Sequence, residues 1–376
     1  MQIPSSLSLA LGLALLLLWS CGTNGGTDKN LHYSDVENPP TKEGFQGDAS
    51  LFAANAQRFY DAGDYLAALQ QFRKQLEKDP TAVDGRLGEA YSLYKLGVNL
   101  AARGAYKEAN RRLEEALDNF EKLSREIPME RDTLEGDGYG WKVRLGLALS
   151  ERALGALAKR QWDRIHSAIL SMEDPSEVIK ARAAQKVLLK RRVDYNERAL
   201  EHFRELAAMG HPAPDVILNV ADMELIAGNE SLAERYYLSY RDIARRSVES
   251  WDRRQREAPD QIESKNELER VLSTIEAKRR SAVEKLVKVL ERLAEMRFDR
   301  GEYAEAASLI EEALKAQPDL VRLHVPMAEI LEKQGKYRAA LEHIDIYLRS
   351  LDSFDENAKK AAKLRSRLLD ELKSAN

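Results

Sequence analysis

"GEYAEAASLIEEALKAQPDLVRLHVPMAEILEKQGKYRAALEHI" occupies residues 301–344 and contains one phrase twice. Gly301-Glu302-Tyr303 is followed by Ala306 and then Ile310. Gly335-Lys336-Tyr337 is followed by Ala340 and then Ile344. The two glycines lie 34 residues apart, and Pro318 follows Ile310 by eight. A third copy stands at Gly63-Asp64-Tyr65, with Ala68, Phe72 and Pro80 at the same offsets. The residue types have a common physical reading. Glycine permits a tight turn between two helices, and the tyrosine two places on packs back onto the first helix. The alanine sits where the helices approach most closely, and the bulky residue four later lies one turn along the same face. Proline ends the unit because it cannot continue a helix.

This pattern resembles the tetratricopeptide repeat (TPR), with its L-G-x2-Y, A-x3-F and P signature. More divergent copies follow. Gly228, Ala233 and Tyr237 keep the spacing. Leu87-Gly88 with Tyr91 matches a first half, and Ala116 with Phe120 and Pro128 a second half. These halves are 29 residues apart where the pattern has 13. The excess is about four helical turns, read as two added to each helix around Arg103-Gly104. Trp141, Leu145 and Gly146 suggest another first helix, one residue out of register. Asp194-Tyr195 with Ala199 and Phe203 suggest another second helix.

One segment breaks the period. Leu268, Leu272, Ile275, Ala282, Leu286, Val289, Leu293 and Met296 follow heptad spacing, interrupted at Arg279. Leu232, Tyr236, Tyr240, Ile243 and Trp251 form a facing stripe, and "EAPDQ" at 257–261 lies between. With Pro259 as breaker and Asp260 as N-cap, this predicts a helical hairpin over about 241–290, its helices roughly 27 and 40 residues long. The expected fold is therefore all-α: a TPR-like α-solenoid of about six to seven helix pairs carrying this hairpin over residues 51–354. A capping helix follows over 355–376, with Asp355 as its N-cap.

The opposite end of the chain reads differently. Leu7–Trp19 is apolar apart from Ser8, too short for a bilayer span of about 20 residues, and is expected to be a signal peptide over residues 1–20. Leu18-Trp19-Ser20-Cys21 resembles the bacterial lipobox, which implies cleavage before Cys21 and lipidation of its sulfur. Cys21 is the chain's one cysteine, so no internal disulfide is open to it. Stable anchoring takes two or more acyl chains; the family's mature cysteine carries three. Gly22 is not the aspartate that retains such proteins at the inner membrane, so the resemblance implies the outer membrane, facing the periplasm. Residues 21–50 read as a disordered tether of Gly, Asn, Pro and charged residues, averaging about 30 Å end to end.

Composition narrows the function. A net charge of −4 gives no case for nucleic acid as partner. His32, His166, His202, His211, His324 and His343 are scattered, without paired metal spacing. Glu135–Trp141 holds the one glycine cluster, but no strand precedes it, so it reads as a connection. No nucleophile stands with a base; neither enzymatic activity nor a cofactor or metal is expected. Lys180, Arg182, Lys186, Lys190, Arg191 and Arg192 form a basic helical run, read as a solvated face or as a contact for anionic lipid.

The resemblance also implies a partner groove along the first helix of each repeat. Its contact positions map to Gln57, Asp222, Glu295 and Glu329, with Lys333 beside them, and to Ala53, Leu218, Glu291 and Val325. An acidic, partly apolar groove fits a basic or neutral peptide or helix. The expected role is a non-enzymatic scaffold in envelope assembly, serving outer-membrane protein, secretin and pilus, or peptidoglycan machinery. The alternative is a glycan-binding lipoprotein, for which Trp141, Trp162 and Trp251 would have to supply the aromatic platforms.

Overall fold

The computed structural model describes residues 48–127, 138–209, 214–262, 264–351 and 356–374. Cys21, the leader, most of the tether, Pro128, Glu135–Asp137, His32, His211 and Asp355 lie outside these residues. Among the described residues there are thirteen α-helices, one short 3₁₀ turn and no strand. They are α1 (Asp48–Asp61), α2 (Tyr65–Lys78), α3 (Val83–Ala102), α4 (Tyr106–Glu126), α5 (Tyr139–Ile169), α6 (Pro175–Ala208), α7 (Pro214–Ile226), α8 (Glu230–Gln261), α9 (Lys265–Asp299), α10 (Tyr303–Ala316), α11 (His324–Lys333), α12 (Tyr337–Arg349) and α13 (Glu356–Ser374). Taken in order they make six pairs and a final single helix, the expected all-α, TPR-like arrangement.

The turns repeat to the atom. Gly335 has φ +72° and Gly301 φ +78°, a left-handed conformation that costs side chains with a Cβ. At Gly335 the Lys336 amide donates to the Leu331 carbonyl at 2.9 Å, and the Gly335 amide to the Glu332 carbonyl at 2.9 Å. This is the Schellman closure of a helix end, which satisfies carbonyls the helix leaves open. The same pair of bonds closes the helices before Gly63, Gly104, Gly228 and Gly301. Between the paired helices the small residues lie at full burial: Ala68, Ala233, Ala306 and Ala340 are each 0 % exposed. The expected extension around Arg103-Gly104 is present as α3 and α4, 20 and 21 residues long.

The chain divides into two compact units, residues 1–119 and 120–376; the boundary falls inside α4, at the repeat residue Phe120. In the first unit Ala56, Tyr60, Ala68 and Phe72 form one core cluster. In the second, each helix packs on its neighbours in sequence, as in an α-solenoid, around a core that includes Leu286, Leu290, Leu293, Ile310, Ala340 and Ile344.

The predicted hairpin is α8 and α9, of 32 and 35 residues. Its buried α9 seam runs through Ile275, Ala282, Leu286, Val289, Leu293 and Met296. The heptad break at Arg279 is bridged by a hydrogen-bonded ion pair to Asp252 of α8. On α8 the buried stripe is Ala233, Tyr237, Tyr240 and Ala244, one residue further on than expected at every member but Tyr240. Asp260 is not the cap. The helix carries Pro259 through its last turn, with Ala258 buried beside it, and Ser264 caps α9 by accepting from the Glu267 amide. Pro259 forfeits the one bond its nitrogen would have donated to the Gln255 carbonyl, and the helix ends two residues later.

A second long hairpin was not expected. The helix read from Asp194 begins nineteen residues earlier, at Pro175, where Asp174 accepts the Ser176 amide at 2.8 Å and Pro175 opens the first turn. Residues 140–158 of α5 and 199–206 of α6 hold the buried positions, whereas no residue from 159 to 198 is buried.

Two glycines separate conformational from steric constraint. A Cβ at Gly335 would meet nothing within 4 Å, but a Cβ at Gly88 would lie 2.3 Å from Phe72 Cζ. Gly335→Ala should cost about 1–2 kcal/mol through φ alone. Gly88→Ala should cost about 1–3 kcal/mol through overpacking. In denaturant titrations, Phe72→Leu should relieve the Gly88→Ala loss and leave that of Gly335→Ala unchanged.

Candidate partner-binding face

The mapped groove positions of the second unit fall on α7, α9 and α11, the first helices of consecutive pairs. Asp222 of α7 is 8 % exposed and is held from three sides. Tyr237 Oη of α8 donates to it at 2.7 Å, Arg152 Nη2 of α5 at 2.8 Å, and Lys288 Nζ of α9 stands at 3.5 Å. Burial works to raise its pKa, but Lys288, Arg152 and the Tyr237 hydrogen bond outweigh that and hold it below the usual carboxylate range. Tyr237 is pushed up, by burial first and by Asp222 second. Close by on the same helix, Asn219 accepts from Arg152 and donates to the Asp215 carbonyl at 2.7 Å. Asp215 in turn meets Lys285 Nζ at 2.9 Å and Tyr240 Oη at 3.2 Å.

The remaining acids divide into paired and unpaired. Glu295 accepts from Arg292 Nη1 at 3.0 Å. Burial would lower the Arg292 pKa, yet Glu295 and Asp222 keep it raised. Glu291 makes a forked pair with Arg322, one bond at 2.9 Å. Glu329 has no ion pair. Burial and the neighbouring Glu332 charge raise its pKa against the opposing charges of Arg367 and Lys333, and Lys333 stands exposed one turn on. Leu218 is part of the core, and Val325 packs against it. In the first unit Gln57 donates to Asp61 at 2.8 Å, and Ala53 is half-buried. The expected acidic lining is thus compensated at Asp222, Glu291 and Glu295, each by a cation from a neighbouring turn or helix. A sequence map of one helix face cannot show cations that arrive from other helices.

Sequence reasoning missed a further acid. Glu151 of α5 is 2 % exposed, with Arg198 Nε at 3.3 Å and His202 Nε2 at 3.6 Å. One of its carboxylate oxygens has no hydrogen-bond partner. Burial raises its pKa to about 7; Arg198 opposes this, and Glu121 and Glu201 add to it. His202 is lowered, by burial and then by Arg144, whose Nη1 lies 3.0 Å from His202 Nδ1. The available signal was a lone acid inside the apolar run Leu145–Leu157. On α11 and α12, His324 and His343 meet Nδ1 to Nδ1 at 2.7 Å, both lowered chiefly by burial. No group of three metal-ligating side chains occurs among the described residues, and no described helix is long and apolar enough to cross a membrane. The tryptophans are engaged locally. Trp162 stacks on His166 at 4.8 Å, Trp251 lies under Arg254 at 4.7 Å, and Trp141 meets Lys142 at 5.8 Å.

With this geometry in view, comparison with known proteins adds the following. Residues 297–364 match the tetratricopeptide-repeat family model, so α10 to α12, with the turns around them, are TPR in sequence as in form. No curated protein matches the chain. Among solved structures it is similar to a thermophilic TPR protein of Thermus thermophilus, at 16 % identity over 76 % of this chain and 99 % of that one, with a TM-score of 0.37. It is also similar to a tetratricopeptide repeat protein from Parabacteroides merdae, at 15 % identity over 85 % and 98 %, TM-score 0.35. A third is Acl4, the assembly chaperone of RpL4, at 14 % identity over 88 % and 99 %, TM-score 0.38.

The two buried acids should respond oppositely to loss of charge. Glu151 has a raised folded pKa, so its contribution is present below about 4.5 and is lost as pH rises through about 7. Glu151→Gln should therefore stabilise by about 1–3 kcal/mol at pH 8 and by little at pH 5, read from denaturation midpoints. Asp222→Ala should destabilise by about 3 kcal/mol at pH 7, because it strands Arg152, Lys288 and the Tyr237 hydroxyl.

Proposed function

We propose that this chain is a lipid-anchored scaffold of the bacterial outer membrane, facing the periplasm, whose TPR helices hold protein partners during envelope assembly. Three features support the reading. The repeats at 297–364 belong to a class built for protein–protein contact. Leu18–Cys21 resembles a lipobox, which would set an acyl anchor ahead of a polar tether. The third carries the binding argument: of the mapped acids of the second unit, Glu329 alone makes no ion pair among the described residues, and exposed Lys333 follows it one turn later within the TPR-matching segment. A neutral or basic peptide or helix supplies what Glu329 lacks, a hydrogen-bond donor or cation, while Lys333 takes a backbone carbonyl or a carboxyl group. Asp222, Glu291 and Glu295, already neutralised, shape the face without setting its charge preference.

A photo-crosslinking residue in place of Glu329 should yield discrete protein adducts in native membranes. The same residue in place of exposed Arg338, at the start of α12, should not. Equal adducts at both positions, or none at either, would refute the face. Cys21→Ala should move the protein out of the outer-membrane fraction; unchanged fractionation would refute the anchor.

A further inference from the structure

The outer half of the α5/α6 hairpin has no buried residue, yet it exposes more large apolar side chains than any other part of the described chain. Leu170 is 81 % exposed, Ile179 68 %, Val187 55 %, Leu189 48 % and Val193 45 %. The other long hairpin, α8 with α9, exposes no large hydrophobic side chain to a comparable degree. This stretch of α6 is also strongly charged. Residues 178–193 contain Lys180, Arg182, Lys186, Lys190, Arg191 and Arg192 and no acid, in a chain of net charge −4. None of these six makes an ion pair, whereas most arginines elsewhere in the second unit do.

The helix has two faces here. Val178, Ala181, Gln185, Leu188 and Arg192 follow a 3-4-3-4 spacing and are half-buried, the stripe turned to α5. Ile179, Arg182, Lys186, Lys190 and Val193 form the opposite stripe, flanked by Val187 and Leu189, and extend over about 21 Å of helix. That outward stripe takes no part in holding the hairpin together.

We infer that the outward face of α6 from Ile179 to Val193 is a docking surface for an anionic phospholipid bilayer. The charge pattern selects the occupant. A second copy of this chain would bring Arg182, Lys186 and Lys190 against the same three cations, so self-association across this face is opposed. An acidic protein would have to present a matched carboxylate to each cation between apolar contacts on every turn. A bilayer interface needs no such register. Aliphatic stems of lysine and arginine lie along the acyl boundary, their heads reach lipid phosphates, and the interleaved Ile, Val and Leu side chains enter between them. Each cation near an anionic leaflet changes partitioning by about fivefold. The surface needs no acyl chain on Cys21, so its test is separate from that of the anchor.

The test is vesicle flotation of the full chain carrying Cys21→Ala, with and without about 30 % phosphatidylglycerol in phosphatidylcholine, at about 0.05 M and about 0.5 M salt. All variants share the apolar leader, so the comparison lies between variants and lipids. Binding should be at least about tenfold stronger to the anionic vesicles and should collapse at the higher salt. Lys186→Glu with Lys190→Glu should remove that excess, and Lys186→Gln with Lys190→Gln should remove part of it. Lys360→Glu with Lys363→Glu, the same charge change on α13, should not. Ile179→Ser with Val193→Ser should weaken binding and leave its salt dependence intact. Circular dichroism of each variant should match the parent. The inference is overturned if the α6 and α13 reversals lose binding equally, or if anionic vesicles are bound no better than neutral ones. It is equally overturned if polyglutamate is captured while anionic vesicles are not, or if the α6 reversal abolishes self-association in sedimentation instead of vesicle binding.

Discussion

A helix pair can close only if the chain reverses within a few residues while the two helices come near enough to exclude water. Both demands fall on small side chains. The left-handed glycine before α2, α4, α8, α10 and α12 lets the Schellman bonds finish one helix and aim the next. The alanine a short way into the following helix then permits close approach, and at Ala68, Ala233, Ala306 and Ala340 it is wholly buried. Every larger feature depends on this repeated corner. It fixes which faces of the helices turn inward, so it fixes which residues remain to meet a partner.

The polar groups of the second unit follow from the same corner. Packing first helices side by side brings Arg152, Asp222 and Lys288 together from α5, α7 and α9, and Tyr237 reaches them from α8. Taking a carboxylate out of water is expensive, and here it is offset by two cations and a hydroxyl. Glu224, fully buried, is matched by a forked pair to Arg204 at 2.6 and 2.7 Å and by Asn229 at the turn. Glu151 lacks such compensation and its pKa rises to about 7 instead. Buried acids in this protein are therefore of two kinds, those that tie neighbouring helices and one that is close to losing its charge at neutral pH.

The two long hairpins show how the same device can serve different ends. In α8 and α9 the apolar seam extends outward, to Ala258 and Ile275, and the one cation in the heptad finds an acid across the pair. In α5 and α6 burial stops at residue 158 on one helix and resumes at residue 199 on the other. Beyond that point Leu170, Ile179, Val187, Leu189 and Val193 point to solvent, and α6 sets Arg182, Lys186 and Lys190 among them. A segment that gives so little burial to its own fold is better explained by what lies outside it.

Period alone was enough to predict an all-α, TPR-like chain. Glycine, tyrosine and alanine at fixed offsets encode a local corner, and a heptad encodes a seam, so α8 to α12 were legible before any coordinates. The α5/α6 hairpin was not, because its turn uses an Asp174 cap and Pro175 instead of a glycine, and its outer half lacks a buried stripe. The mapped positions were also legible one by one, since a face of a helix follows from 3.6 residues per turn. Their charge state was not. Arg152 lies 70 residues from Asp222, and Arg322 lies 31 from Glu291. Which acids form an ion pair and which, like Glu329, form none is settled only when distant helices are brought side by side, because Coulomb interactions act through space and not along the chain.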